Sequence, residues 1–212
     1  MKQLLTALFV VALAVPSSSA FAQEASQTQK LFEAGKYQEA IQATPADAPP
    51  AAIYQAALSQ EKLNAKDKAK ELYNKLAALP ESDAWHFIGV SGAQLLDAEE
   101  VTNERDWRRA IDYALEPAEQ ATKVNGNLAE AYFQTATVFA KREDWQEAAD
   151  AFTKAATLNP SLAYAHYYAG MAYNRAGRAD QMAIQFEQFL KLAPDAPEKA
   201  AVTNIMRTVR GR

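Results

Sequence analysis

The chain has 212 residues, 22 basic and 26 acidic, for a formal net charge of −4, and no cysteine. That balance offers no basic surface of the kind nucleic-acid binding requires. The lack of cysteine excludes disulfides, so packing alone must hold the fold, and it excludes a lipidated cysteine as a membrane tether.

Residues 1–22 read as a separate object. Lys2 precedes an apolar run from Leu4 to Val15, followed by Pro16, Ser17-Ser18-Ser19 and Ala20-Phe21-Ala22. A charged start, a short apolar core and an Ala-x-Ala end define a secretory signal peptide cleaved after Ala22. The run of roughly 12 residues falls short of the roughly 20 that a membrane-spanning helix needs, and the competing reading is an uncleaved N-terminal anchor. Cleavage leaves a chain from Gln23 with 21 basic against 26 acidic residues. The expectation is a soluble, exported, periplasmic protein with no membrane span.

The elements that follow are all helical. An eroded pair spans 24–45, where Leu31-Phe32-x2-Gly35-Lys36-Tyr37-x2-Ala40-Ile41 forms a turn and Pro45, Pro49 and Pro50 cut the second helix short. Over 51–81, Ile53-x2-Ala56-Ala57 starts one helix and Ala69-x3-Tyr73, with Leu76, Leu79 and Pro80, gives its partner. Over 83–126, Trp85-x2-Ile88-Gly89 begins a longer pair whose partner helix carries Ala114-x3-Ala118 and ends near Gly126. Its surplus residues fall between Gly92 and Trp107, to be absorbed by longer helices or an elaborated turn.

The next two pairs, 129–162 and 163–196, repeat each other. Tyr132, Ala136, Phe139, Ala148, Phe152 and Pro160 are answered 34 residues later by His166, Gly170, Tyr173, Met182, Phe186 and Pro194. Pro197 then opens a last helix at 197–210, on which Ala201, Val202, Ile205 and Val209 form an apolar stripe, with Arg207, Arg210 and Arg212 in solvent.

This pattern resembles the tetratricopeptide repeat family. The resemblance implies an all-α fold: a right-handed superhelical solenoid of antiparallel helix pairs with a C-terminal capping helix. The physical requirement behind the spacing is close approach, since helices reach about 8–10 Å only where crossing side chains are small. Ala136, Ala148 and Gly170 occupy such places, Asn159-Pro160 and Ala193-Pro194 end helices, and Gly177 suits a left-handed C-cap.

In such a solenoid the first helix of each pair lines a concave surface. The positions there that packing does not require are Tyr54, Leu58, Phe87, Phe133, Gln134, Thr137, Lys141, Tyr164, Tyr167, Tyr168, Met171 and Arg175. Family members that grip a C-terminal carboxylate place lysine, arginine and asparagine in the groove, whereas this chain has Phe133, Thr137, Tyr164 and Tyr168, so no carboxylate clamp is implied. Tyrosine offers large contact area at little rotamer cost. The leading expectation is a scaffold that binds a protein or peptide partner in an aromatic groove, with Tyr164→Ala and Tyr168→Ala losing the partner while keeping the fold. The competing reading packs Tyr167 and Tyr168 against the neighbouring repeat and the last helix.

No catalytic, metal or cofactor site is expected. His86 and His166 lie in different repeats without acidic or thiol partners, and Glu130 is a lone groove carboxylate where glycosidic chemistry needs a pair. The alternative function is an accessory protein of the cell wall or of an envelope complex, binding polymer or assembling with itself through the convex back or residues 93–106.

Overall fold

The computed structural model describes residues 27–210, so the signal-peptide reading of 1–22 falls outside the described residues. Among the described residues the structure is helical, without a strand. A short helix α1 (27–33) and α2 (Tyr37–Gln42) come first. Four longer pairs follow: α3 (Pro50–Lys62) with α4 (Lys66–Ala77), α5 (Ala84–Ala98) with α6 (Glu104–Val124), α7 (Ala129–Lys141) with α8 (Trp145–Leu158), and α9 (Ala163–Arg175) with α10 (Ala179–Leu192). The last helix is α11 (Lys199–Arg210).

Four of the turns share one geometry. Gly35, Asn64, Glu143 and Gly177 have φ of +73°, +56°, +66° and +73°. After each, a backbone N–H reaches back five residues: Lys36 to the Leu31 carbonyl, Ala65 to Gln60, Asp144 to Phe139 and Arg178 to Tyr173, all at 2.8–3.0 Å. This left-handed closure satisfies the last carbonyls of the first helix and reverses the chain within a few residues. Glycine adopts it freely, while Glu143 holds it against a backbone cost of roughly 1–2 kcal/mol. Asp83 and Asn103 start α5 and α6 differently, with side chains accepting from the N–H groups of Trp85 and Asp106.

Helices approach closely where one of them contributes almost no side chain. A Cβ added to Gly170 on α9 would lie 2.5 Å from Phe186 ring carbons on α10. One added to Gly92 would overlap the Tyr73 ring, and one on Gly89 the α4 backbone at Tyr73 and Ala77. Ala136 and Ala148 are fully buried, as their repeat positions require.

The surplus residues of the third pair lengthen both of its helices, to 15 residues in α5 and 21 in α6. They do not project freely. Leu95, Ala98, Ile111, Ala114 and Ala118 bury with Val138 of α7 in a second, smaller core. Pro117 sits inside α6 and forgoes one helical bond, to the carbonyl of Tyr113, whose residue is mostly exposed.

On α11 the core face is Val202 and Met206, with Ile205 half-buried and Ala201 exposed. The expected stripe is therefore rotated. Val202 and Met206 stand one turn apart and bury more apolar surface than a face led by Ala201.

Bulk at a crossing should be tolerated far less than bulk at an inner surface. Ala148→Leu and Gly170→Leu are expected to destabilise the fold by about 1–3 kcal/mol through overpacking. Ala140→Leu, at a half-buried position, should leave the melting temperature nearly unchanged. Equal melting of all three variants would contradict this packing.

Candidate functional site

The inner helices converge instead of leaving an open trough. Tyr54 of α3 lies against Tyr73, Trp85 and Phe133, with ring centroids at 6.2, 5.9 and 6.5 Å. Its hydroxyl donates to Gln134 Oε1 at 3.1 Å, Gln134 Nε2 donates to Ser91 Oγ at 3.1 Å, and the Ser91 hydroxyl donates to the Ala114 carbonyl at 2.9 Å. One buried chain of hydrogen bonds thus links α3, α7, α5 and α6. Burial pushes the Tyr54 hydroxyl well above its ordinary range, so it remains a neutral donor.

The tyrosines of α9 meet the same fate. Tyr164 is 1% exposed, with Phe32 of α1 at 4.9 Å, Tyr167 at 5.7 Å and Phe189 at 5.7 Å. Its hydroxyl donates to Glu198 Oε2 at 2.6 Å, and Lys62 Nζ pairs with Glu198 Oε1 at 3.0 Å while lying over the Tyr164 and Tyr168 rings. Burial and the bond to Glu198 push the Tyr164 hydroxyl up. Tyr168 stacks on Phe152 at 5.5 Å and meets Phe133 edge-on at 5.7 Å.

Tyr54, Gln134 and Tyr164 are therefore core residues, not an exposed binding surface, and Phe133 is buried with one side toward the cleft described below. Long side chains of α3 span the hollow: Tyr54 reaches Phe133 and Gln134 of α7, and Lys62 reaches Tyr164 and Tyr168 of α9. Tyr167, Tyr168 and Met171 are half-buried and packed on that core. Arg175 is exposed, with its guanidinium 5.4 Å from the Trp145 ring.

What stays open is a cleft of about 450 Å³ at the C-terminal ends of α3 and α7. Leu58, Thr137 and Lys141, all sequence candidates, line it with Phe133 and Tyr168, and Phe152 and Ala140 complete an apolar floor. Glu61, Lys62 and Lys141 supply charge at the cleft. Lys141 also pairs with Glu99, which takes a second bond from Lys66 at 2.7 Å. Partial burial works to raise the Glu99 carboxyl, but the two lysines outweigh it and hold it below the usual carboxylate range.

Phe87 is not part of this cleft. It lines a separate cavity of about 550 Å³ between α5 and α6, with His86, Gln94 and Tyr113. His86 Nδ1 is 2.9 Å from the Leu79 carbonyl and His166 Nδ1 is 2.7 Å from Gln185 Oε1, so both histidines sit in local packing contacts. Burial pushes the Glu130 carboxyl up. No cluster of metal-ligating side chains occurs among the described residues, and none of their helices is long and apolar enough to cross a membrane.

Glu61, Trp145 and Glu198, which the sequence did not single out, and Phe32, which it offered only as part of a turn, border the cleft or its tyrosines. Lys62 and Lys141 each end the first helix of a pair.

Stacked helix pairs whose first helices share a hollow define a helical-repeat solenoid, an architecture that presents surface for contact. Residues 51–82, 129–162 and 164–196 match tetratricopeptide-repeat models, so the chain carries tetratricopeptide repeats. Such proteins are in general non-catalytic scaffolds for protein–protein interaction. A comparison with curated proteins finds no match. Among solved structures the chain is similar to TTC0263, a thermophilic tetratricopeptide-repeat protein of Thermus thermophilus, at 20% identity and a TM-score of 0.64, covering 91% of this chain and 100% of that one. It is also similar to MamA, at 20% identity and a TM-score of 0.47 over 83% of this chain and 94% of that one. For MamA of Desulfovibrio magneticus the values are 17% and 0.44, over 84% and 97%. These are likenesses of fold.

The burial of the tyrosines reverses the mutational expectation. Tyr164→Ala should lower stability by about 3–5 kcal/mol, the range for emptying a large aromatic site. Gln134→Leu should cost about 1–3 kcal/mol by stranding the buried Tyr54 hydroxyl. Chemical denaturation reads both, and wild-type midpoints would return these side chains to the surface.

Proposed function

We propose that this chain is an exported, periplasmic scaffold that binds a protein or peptide segment in the cleft between α3, α7 and α9. The observation that carries the reading is the cleft itself: an apolar floor of Leu58, Phe133, Phe152 and Tyr168 beside the charges of Glu61, Lys62 and Lys141. A floor of this kind takes one or two apolar side chains of a partner, and the charges fix its direction. Micromolar affinity corresponds to about −8 kcal/mol, and two well-buried anchors at roughly 2 kcal/mol each would supply half of it.

The periplasmic part of the reading is supported by the signal-peptide pattern of residues 1–22. Mass spectrometry of protein recovered from an expressing bacterium should find a mature chain beginning at Gln23. Recovery of intact Met1 in the folded pool would remove the support for export.

The cleft is tested by changing its half-buried lining residues. Leu58→Glu and Thr137→Arg should reduce capture of a partner from envelope extract at least about tenfold, a loss of roughly 1.4 kcal/mol, while helical content is preserved. His86→Ala, in the cavity between α5 and α6, should capture normally. The opposite pattern would move the partner to that second cavity.

A further inference from the structure

The concave face already holds an occupant. The α1 helix is seven residues long, too short to be stable as an isolated helix. Its order comes from docking. Thr28, Phe32 and Glu33 face inward and are 0%, 3% and 9% exposed. Phe32 lies on the Tyr164 ring and forms one wall of the open cleft. Glu33 Oε1 accepts from the backbone N–H of Ala163 at 2.9 Å, the first residue of α9, across 130 positions of sequence. Gln29 Nε2 donates to the Ser161 carbonyl at 3.2 Å. A carboxylate at this place meets the free amides and the positive end of the α9 dipole.

Burial pushes the Glu33 carboxyl up, against the bonds from Gln29 and Ala163, so its charge is held at a cost. The connection to α2 is the left-handed turn at Gly35, packed on Pro197, so α1 is joined to the rest of the fold by one turn. Departure of α1 would uncover Tyr164 and the amino end of α9, in one surface with the cleft.

We infer that α1 is a resident ligand of the concave face, and that the partner is a short helix of another protein carrying an apolar residue followed by an acidic one, which binds by displacing it. The inference rests on the concave face being the partner's site. A resident occupant lowers apparent affinity by the fraction of molecules in which the face is free, so weakening the occupant raises affinity.

The probe is a labelled synthetic peptide of residues 24–36, added to the full chain. It should bind the F32A/E33A variant at least about tenfold tighter than wild type, and a peptide carrying the same two substitutions should bind neither. Equal binding to both chains, or binding to neither, overturns the inference. Hydrogen exchange on the unaltered protein gives an independent reading if the variant misfolds. The α1 amides should exchange at least about 100-fold faster than those in the middle of α7 and α9, and exchange of α1 only together with those helices overturns the inference too. Competition separates this inference from the functional reading beneath it. A peptide that binds as expected but fails to release a captured envelope partner overturns the concave-face reading of function, not the docking of α1.

Discussion

The close approach of neighbouring helices governs the rest of this structure. Where Gly170 faces Phe186, and where Gly89 and Gly92 face α4, one helix offers backbone and the other a ring or a backbone edge. Each such contact sets how far one helix can tilt on the next, and the tilt accumulates along the stack. No disulfide or metal cluster assists among the described residues. The small residues are therefore as informative as the aromatic ones, because a ring packs this deeply only where its neighbour has withdrawn.

Accumulated tilt turns an inner surface into a core. A gently curved solenoid would have left Tyr54 and Gln134 facing water. Here they face each other across 80 residues of sequence and join a hydrogen-bonded chain that ends on the Ala114 carbonyl. Buried polar groups are tolerable only when every member has a partner, and the chain meets that demand by spanning four helices. Its geometry leaves little freedom in how those helices pack. The half-buried rim at Leu58 and Thr137, outside this lattice, keeps room for a visitor.

The repeat period made the helices and their crossings legible, because Ala136, Ala148 and Gly170 answer to constraints that act within 34 residues. The left-handed turn at Gly177 was legible for the same reason, since glycine advertises it. Glu143 holds the same conformation with nothing in its side chain to announce it. The site was legible only in part. Sequence placed Leu58, Thr137 and Lys141 on the inner helices, and they do line the cleft. It could not separate them from Tyr54, Gln134 and Tyr164, because exposure there depends on how several pairs pack together. Glu33 meeting Ala163, or Lys62 meeting Glu198, are contacts across 130 and 136 positions that no local pattern encodes.

The turn at Gly35 lies so close to Pro197 that a Cβ there would stand 2.9 Å from the proline ring. Together with the Lys62–Glu198 pair, this joins the two ends of the stack. An open array of repeats behaves as a one-dimensional chain: it frays from its ends, and units can be inserted or deleted with only local effect. Here the segment from Gly35 to Glu198 is tied at both of its ends. The number of repeats between those ends is then a fixed quantity, since one pair more or fewer would carry Pro197 away from Gly35 and Glu198 away from Lys62.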